Sequence, residues 1–76
     1  MNKIERKECI DSFGDFIKEH RLKKDVLQQD IADAVGISQS YYSLIERGER
    51  EADLMLAIRI CRALKVDLGN FIKKFM

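Results

Sequence analysis

The stretch from Gln28 to Glu46, QQDIADAVGISQSYYSLIE, leaves this chain few folds to choose from. Ile31, Ala32 and Val35 stand at i, i+1 and i+4 and so share one helical face. Gly36 follows at once, where a chain leaving a helix takes the left-handed conformation that glycine adopts at little cost. Ile37 is apolar and can fill the gap between two helices. Ser38 stands at an N-cap position, its hydroxyl able to accept a bond from an unpaired backbone N–H. Tyr42 and Ile45, three apart, give a second helix its inward face. The pattern predicts helix, tight turn, helix. Gln39, Ser40, Ser43, Leu44 and Arg47 are left facing outward. That short, polar, almost uncharged face suits hydrogen bonding to base edges in the major groove of DNA.

At this point the residues carry a resemblance. Gln28, Ala32, Gly36-Ile37-Ser38, Ser43, Ile45, Glu46 and Gly48, in this order and spacing, resemble the helix-turn-helix of the Cro/C1-type (XRE) family. That family includes lambda-type phage repressors and restriction–modification controller proteins. The resemblance runs from about Phe13 to Ile72. It implies an all-α, compact five-helix, lambda-repressor-like DNA-binding domain, with the helix-turn-helix at helices 2 and 3 (about 28–47). It also implies base reading by Gln39, Ser40, Ser43 and Leu44. Phosphate contacts fall to Gln28, Ser38, Tyr41, Arg47 and Arg50. Arg21 is implied to reach Glu46 as a structural ion pair, with a phosphate contact as its other possible role.

With 76 residues the chain is read as one domain, 1–76, with no room for a second, ligand-sensing domain. An apolar content of 46% is ample for a core, and 36% charged residues point to a helical, soluble surface. The net charge of +1 makes the placement of charge matter more than its sum. From Val26 to Glu46 there is no Lys or Arg. Lys18, Arg21, Lys23 and Lys24 precede the stretch; Arg47, Arg50, Arg59 and Arg62 follow it. These read either as phosphate-gripping flanks around a neutral reading surface or as an ordinary mixed-charge surface. Cys9 and Cys61 form no metal spacing. With no signal peptide and no long apolar run, the sequence predicts a cytoplasmic chain with reduced thiols.

Taken in order, residues 1–7 are expected to be frayed. A first helix is expected from about Glu8 to Lys24, with Ile10, Phe13, Ile17 and Arg21 as its inner stripe and Phe16 and Leu22 flanking it. Gly14 inside that helix predicts close packing. Asp25-Val26-Leu27-Gln28 fits a shifted capping box, Asp25 as N-cap and Gln28 reaching back, so that the second helix starts early. Tyr41 is either an inward anchor or a phosphate contact, and Leu44 either a thymine-methyl contact or a surface leucine. Glu49 and Glu51 are expected to point away from Arg47 and Arg50. Asp53 is expected to cap a fourth helix with an inner stripe of Leu54, Ala57, Ile58, Cys61 and Leu64. Asp67 is expected to cap a fifth, Leu68 to Phe75.

Phe71, Ile72, Phe75 and Met76 give that last helix more apolar surface than one small core needs. The expectation is a two-fold homodimer through helices within about 53–75, as the resemblance to controller proteins implies. The function expected is a transcriptional regulator, a repressor or controller, that binds a pseudo-palindromic operator in double-stranded DNA. The alternative is an antitoxin-like protein-interaction module. His20 is the only histidine and reads as a solvated imidazole. No nucleophile–base pair, cofactor motif or metal spacing is present, so an enzyme is not expected.

Overall fold

The structure, a computed structural model, describes residues 2–75, and side chains as far as residue 74. Met76 and the side chain of Phe75, both assigned above to a partner face, lie outside the described residues. The elements are α1 (Lys3–Lys23), α2 (Gln28–Val35), α3 (Gln39–Glu46), α4 (Leu54–Leu64) and α5 (Leu68–Ile72), closed by one 3-10 turn, Lys73–Phe75. The all-α, five-helix expectation holds, and no strand occurs among the described residues.

α1 begins five residues before the position expected, because Asn2 caps it. The Asn2 side chain accepts from the Glu5 N–H at 2.9 Å, and Arg6 pairs with Glu51 in the loop ahead of α4. Those two contacts hold a segment expected to fray. At its other end α1 stops through Asp25, which takes a left-handed backbone at φ 55°. Asp25 therefore caps nothing, and the early start expected for α2 is not found. α2 starts at Gln28 with Leu27 in the N-cap position; leucine has no acceptor, so only the return bond forms, from the Leu27 N–H to the Asp30 carboxylate at 3.1 Å. The Asp25 reading failed because a second acid, Asp30, stood at the right distance from a better-placed backbone N–H.

Phe13, Phe16 and Ile17 of α1 meet Ile31, Ala32 and Val35 of α2, Tyr42 and Ile45 of α3, and Leu56, Ala57, Ile60, Cys61 and Leu64 of α4 in one core. Of the stripe expected on α4, Ala57, Cys61 and Leu64 are buried as expected, and two members differ. Leu54 is exposed and Ile58 half-buried, while Leu56 and Ile60 are buried. This helix is apolar nearly all round, so periodicity admits two registers, and packing against α1 and α2 selects between them. On α1, Leu22 is exposed and Ile10 half-buried. The fifth helix is shorter than expected. Phe71 also turns inward rather than to a partner, its ring 5.3 Å from Phe13 and 5.5 Å from Phe16. Burial pushes the Cys61 thiol up to about 11, which keeps it protonated and inert at neutral pH.

Gly36 closes α2 at φ 80° and donates its N–H to Ala32. Ser38 then caps α3, its hydroxyl accepting from the Tyr41 N–H at 3.1 Å. Across the motif the side chains of the first residues of the two helices meet, Gln39 Nε2 lying 3.5 Å from Gln28 Oε1.

Candidate nucleic-acid interface

Gln39, Ser40, Ser43, Leu44 and Arg47 line one open concavity on the outer face of α3. All four expected base readers are thus brought together, with Arg47 beside them. Gln39 and Ser40 are exposed, Ser43 and Leu44 half-buried. A second concavity adjoins it, lined by Asp15, Lys18, Gln28, Ser43, Glu46 and Arg47. Ser43 and Arg47 belong to both, so the two form one continuous surface across α1, α2 and α3.

Beneath that surface lies the ion pair. Arg21 Nε donates to Glu46 Oε2 at 2.6 Å and Arg21 Nη2 to Glu46 Oε1 at 3.0 Å. A third guanidinium N–H, on Nη1, goes to the Val26 carbonyl at 2.9 Å. Both side chains are buried, Glu46 with only 4% of its surface exposed. Such a fork fixes distance and angle together, so it sets how α3 sits on α1. Arg21 is thereby occupied within the fold, which weighs against its other reading as a phosphate contact. Gln28 completes the cluster, donating from Nε2 to Glu46 Oε1 at 3.0 Å. The buried Tyr42 hydroxyl lies beside the same carboxylate without a hydrogen bond of ordinary geometry.

Burial pushes the Glu46 carboxyl up, but Arg21, Tyr42 and Gln28 together outweigh burial and hold it below its ordinary 4.5. Burial, and then the Glu46 carboxylate, push the Tyr42 phenol far above its usual range. The Glu46 shift has a consequence for stability. A carboxylate whose value is depressed by folding contributes fully above its unfolded value and loses that contribution as pH falls through the folded one. The melting temperature is therefore expected to fall as pH drops below about 4.5, and to fall less steeply in Glu46→Gln. Thermal melts between pH 3 and 7, roughly spanning both carboxylate states, check this. Parallel curves for the two proteins would remove Glu46 as the source.

Several basic residues read above as phosphate-gripping flanks are engaged elsewhere. Lys24 donates to the Leu64 carbonyl at the end of α4, and Arg59 to the Val35 carbonyl at the end of α2. Both satisfy carbonyls that a helix C-terminus leaves unpaired. Sequence gave no sign of them, because each partner is a backbone atom from another part of the chain. Arg47 is exposed and pairs with Glu49 at 3.0 Å, so Glu49 does not point away as expected. Glu51 turns to Arg6. Arg50 sits over the Tyr41 ring, 5.0 Å from its centroid, and Tyr41 is half-buried against the core. His20 is not simply solvated, for its ring lies edge-on to Phe16 at 4.7 Å. Among the described residues no group of three His, Cys, Asp or Glu side chains is placed to hold a metal ion. No helix among them is long and apolar enough to cross a membrane.

Two helices joined by a left-handed glycine turn, with their first side chains in contact and a polar outer face on the second, define a helix-turn-helix domain. A helix-turn-helix family model matches residues 17–71. The chain belongs to the Cro/C1-type (XRE) helix-turn-helix family, a family of DNA-binding transcriptional regulators. Over 61 residues it is 36% identical to an uncharacterized HTH-type transcriptional regulator, YqaE, of Bacillus subtilis (strain 168). That match covers 80% of this chain and 53% of the relative, so the chain spans about half the relative's length. Among solved structures it is similar to the clp gene regulator ClgR from Corynebacterium glutamicum, with a TM-score of 0.80 and 26% identity over 84% of this chain and 83% of that one. It is also similar to the restriction–modification controller protein C.AhdI from Aeromonas hydrophila, with a TM-score of 0.76 and 27% identity over 82% and 94% of the two chains.

Proposed function

We propose that this chain is a transcriptional regulator, a repressor or controller, that binds a pseudo-palindromic operator in double-stranded DNA as a homodimer. The single observation that carries the reading is the continuous α1–α2–α3 surface, where Gln39, Ser40, Ser43, Leu44 and Arg47 share one concavity. Its polar groups suit base edges, with Gln39 positioned to pair with adenine and the Leu44 methyls with thymine. The phosphate contacts fall to Gln28, Ser38, Tyr41, Arg47 and Arg50, of which Gln28 and Arg47 line that surface. The Ser38 hydroxyl accepts from the Tyr41 N–H of its own helix, which leaves its O–H to donate to a phosphate. The same reading places the protein in the cytoplasm and gives it no enzymatic activity.

Pairing is assigned to α4 and α5. Leu54, Met55 and Ile72 are all exposed, at 65%, 66% and 44%. Leu54 and Ile72 border an apolar groove that also takes in Cys9, Ile10, Ala52 and Leu68. A second copy seated there would place two α3 helices in successive major grooves, roughly 34 Å apart. Phe71, which faces the core, supports that surface from below.

Fluorescence anisotropy with a labelled duplex, measured across a salt series, tests the binding surface. Arg47→Ala is expected to weaken binding to all sequences alike and to reduce the salt slope by about one. A slope equal to that of the unaltered protein would take Arg47 off the backbone. Light scattering on the pure protein tests the pairing. A dimer mass supports the reading, whereas a monomer exposing Leu54, Met55 and Ile72 favours the antitoxin-like interaction module instead.

A further inference from the structure

The surface that would face a polyanion carries a charge of the wrong sign. The concavity that continues the α3 face across α1 and α2 is lined by two acids, Asp15 and Glu46, and two cations, Lys18 and Arg47. Glu46 is buried and compensated by the Arg21 fork. Arg47 is turned to Glu49. Asp15 and Lys18 are both exposed, and among the described residues neither forms an ion pair. Residues three apart on a helix are neighbours, about 5–6 Å apart at Cβ, so α1 presents an acid and a base side by side. Asp15 cannot withdraw with its backbone. Gly14 before it is pressed against the end of α3, where an added Cβ would stand 2.5 Å from the Glu46 carbonyl oxygen, and Phe16 after it is buried in the core.

We propose that Asp15 and Lys18 act as a charge filter on DNA register: Lys18 takes a backbone phosphate, and Asp15 repels any phosphate that settles one turn away, so that Asp15 raises specificity at the expense of affinity. The inference rests on the proposed DNA-binding function and deepens it. When α3 engages its own base sequence, base contacts fix the duplex in one register. The backbone then runs past Lys18 and clear of Asp15. On any other sequence no base contact holds the duplex, and the protein slides through many registers on phosphate contacts alone. In some of these a phosphate meets the Asp15 carboxylate, and those registers are lost from the non-specific ensemble. The repulsion acts within a Debye length, about 10 Å at 0.1 M salt, so it fades as salt is raised. The net charge of only +1 fits the same scheme, since overall attraction is weak and the placement of charge does the selecting.

Anisotropy on two labelled duplexes tests the filter: the site recovered by selection with the unaltered protein, and a scrambled duplex of the same composition. Asp15→Asn keeps the size of the side chain and removes its charge. At roughly 0.1 M salt it is expected to tighten binding to the scrambled duplex about fivefold and to the selected site by less than about twofold. Near roughly 0.5 M salt the two changes are expected to agree within about twofold. Asp15→Glu, which keeps the charge, is expected to hold the ratio of the two affinities within about twofold of the unaltered protein's. Lys18→Gln is expected to weaken binding to both duplexes and to reduce the salt slope by about one. Equal tightening on both duplexes in Asp15→Asn, or no change on either, overturns the filter and leaves the DNA-binding function standing. A loss of discrimination that persists at high salt reports a change of shape rather than of charge, and overturns it as well. So does a Lys18→Gln salt slope equal to that of the unaltered protein. Recovery of no selected site by the unaltered protein overturns the proposed function, and the filter with it.

Discussion

Replacing Gly14 with alanine is expected to lower the melting temperature by on the order of 15 °C, the equivalent of about 3 kcal/mol in a domain of this size. In an isolated helix the same change would stabilise, by up to about 1 kcal/mol. Packing reverses the sign. A Cβ at Gly14 would stand 2.5 Å from the Glu46 carbonyl oxygen and 2.6 Å from that of Ile45. Both are backbone atoms at the end of α3, and neither can swing aside. Either α1 or α3 must move, and the Arg21–Glu46 fork resists any such shift because it ties the same two helices. Overpacking a tight contact costs typically about 1–3 kcal/mol, and more where the obstacle is rigid. Asp15→Ala, exposed one residue along, serves as the control and is expected to change little. A melt of Gly14→Ala within a couple of degrees of the unaltered protein would show that α1 and α3 approach less closely than described.

The second large effect is expected at the ion pair. Removing one member of a buried, hydrogen-bonded pair leaves the other charged and uncompensated, at a cost of about 3–5 kcal/mol. In Glu46→Gln the new amide meets guanidinium donors at both of its ends, with the Gln28 NH2 beside one of them, so its own NH2 group always faces a donor. Arg21 keeps its bond to the Val26 carbonyl but loses its counter-charge. Arg21→Met is expected to cost a similar amount, because Glu46 then keeps only the hydrogen bond from Gln28. The double variant Arg21→Met/Glu46→Leu is expected to recover much of the loss, since apolar replacement of a whole buried pair is often neutral or better. Thermal or urea melts of all three check this. An unchanged midpoint in either single variant would remove the pair from the account of the fold.

Sequence reasoning was most reliable where a residue's role depends on its neighbours along the chain. Gly36, Ser38 and the apolar spacing of α2 and α3 each act within one or two turns, and they were legible as a unit. The Arg21–Glu46 contact, a link across 25 residues, came from the family resemblance and not from spacing. What was missed lies across the fold. Lys24 and Arg59 were read as surface cations, yet each closes the end of a helix far away in sequence. The register of α4 was ambiguous because its polar residues are too few to mark an outer face. Asp25 and Asp30 competed for one capping role, and only the backbone conformation at Asp25 decided it. Phe71 was placed with its neighbours on a partner face because a short apolar helix gives no sign of which side its own core claims.

The most direct test of the account is selection of bound DNA from a random-sequence duplex library at near-physiological salt. The expected result is a two-fold-symmetric site with half-sites about one helical turn apart, and loss of that site when Gln39, Ser43 and Leu44 are replaced together. Binding with no enriched sequence, or a motif that survives the triple replacement, would contradict the assignment of the outer face of α3 as the surface that reads DNA.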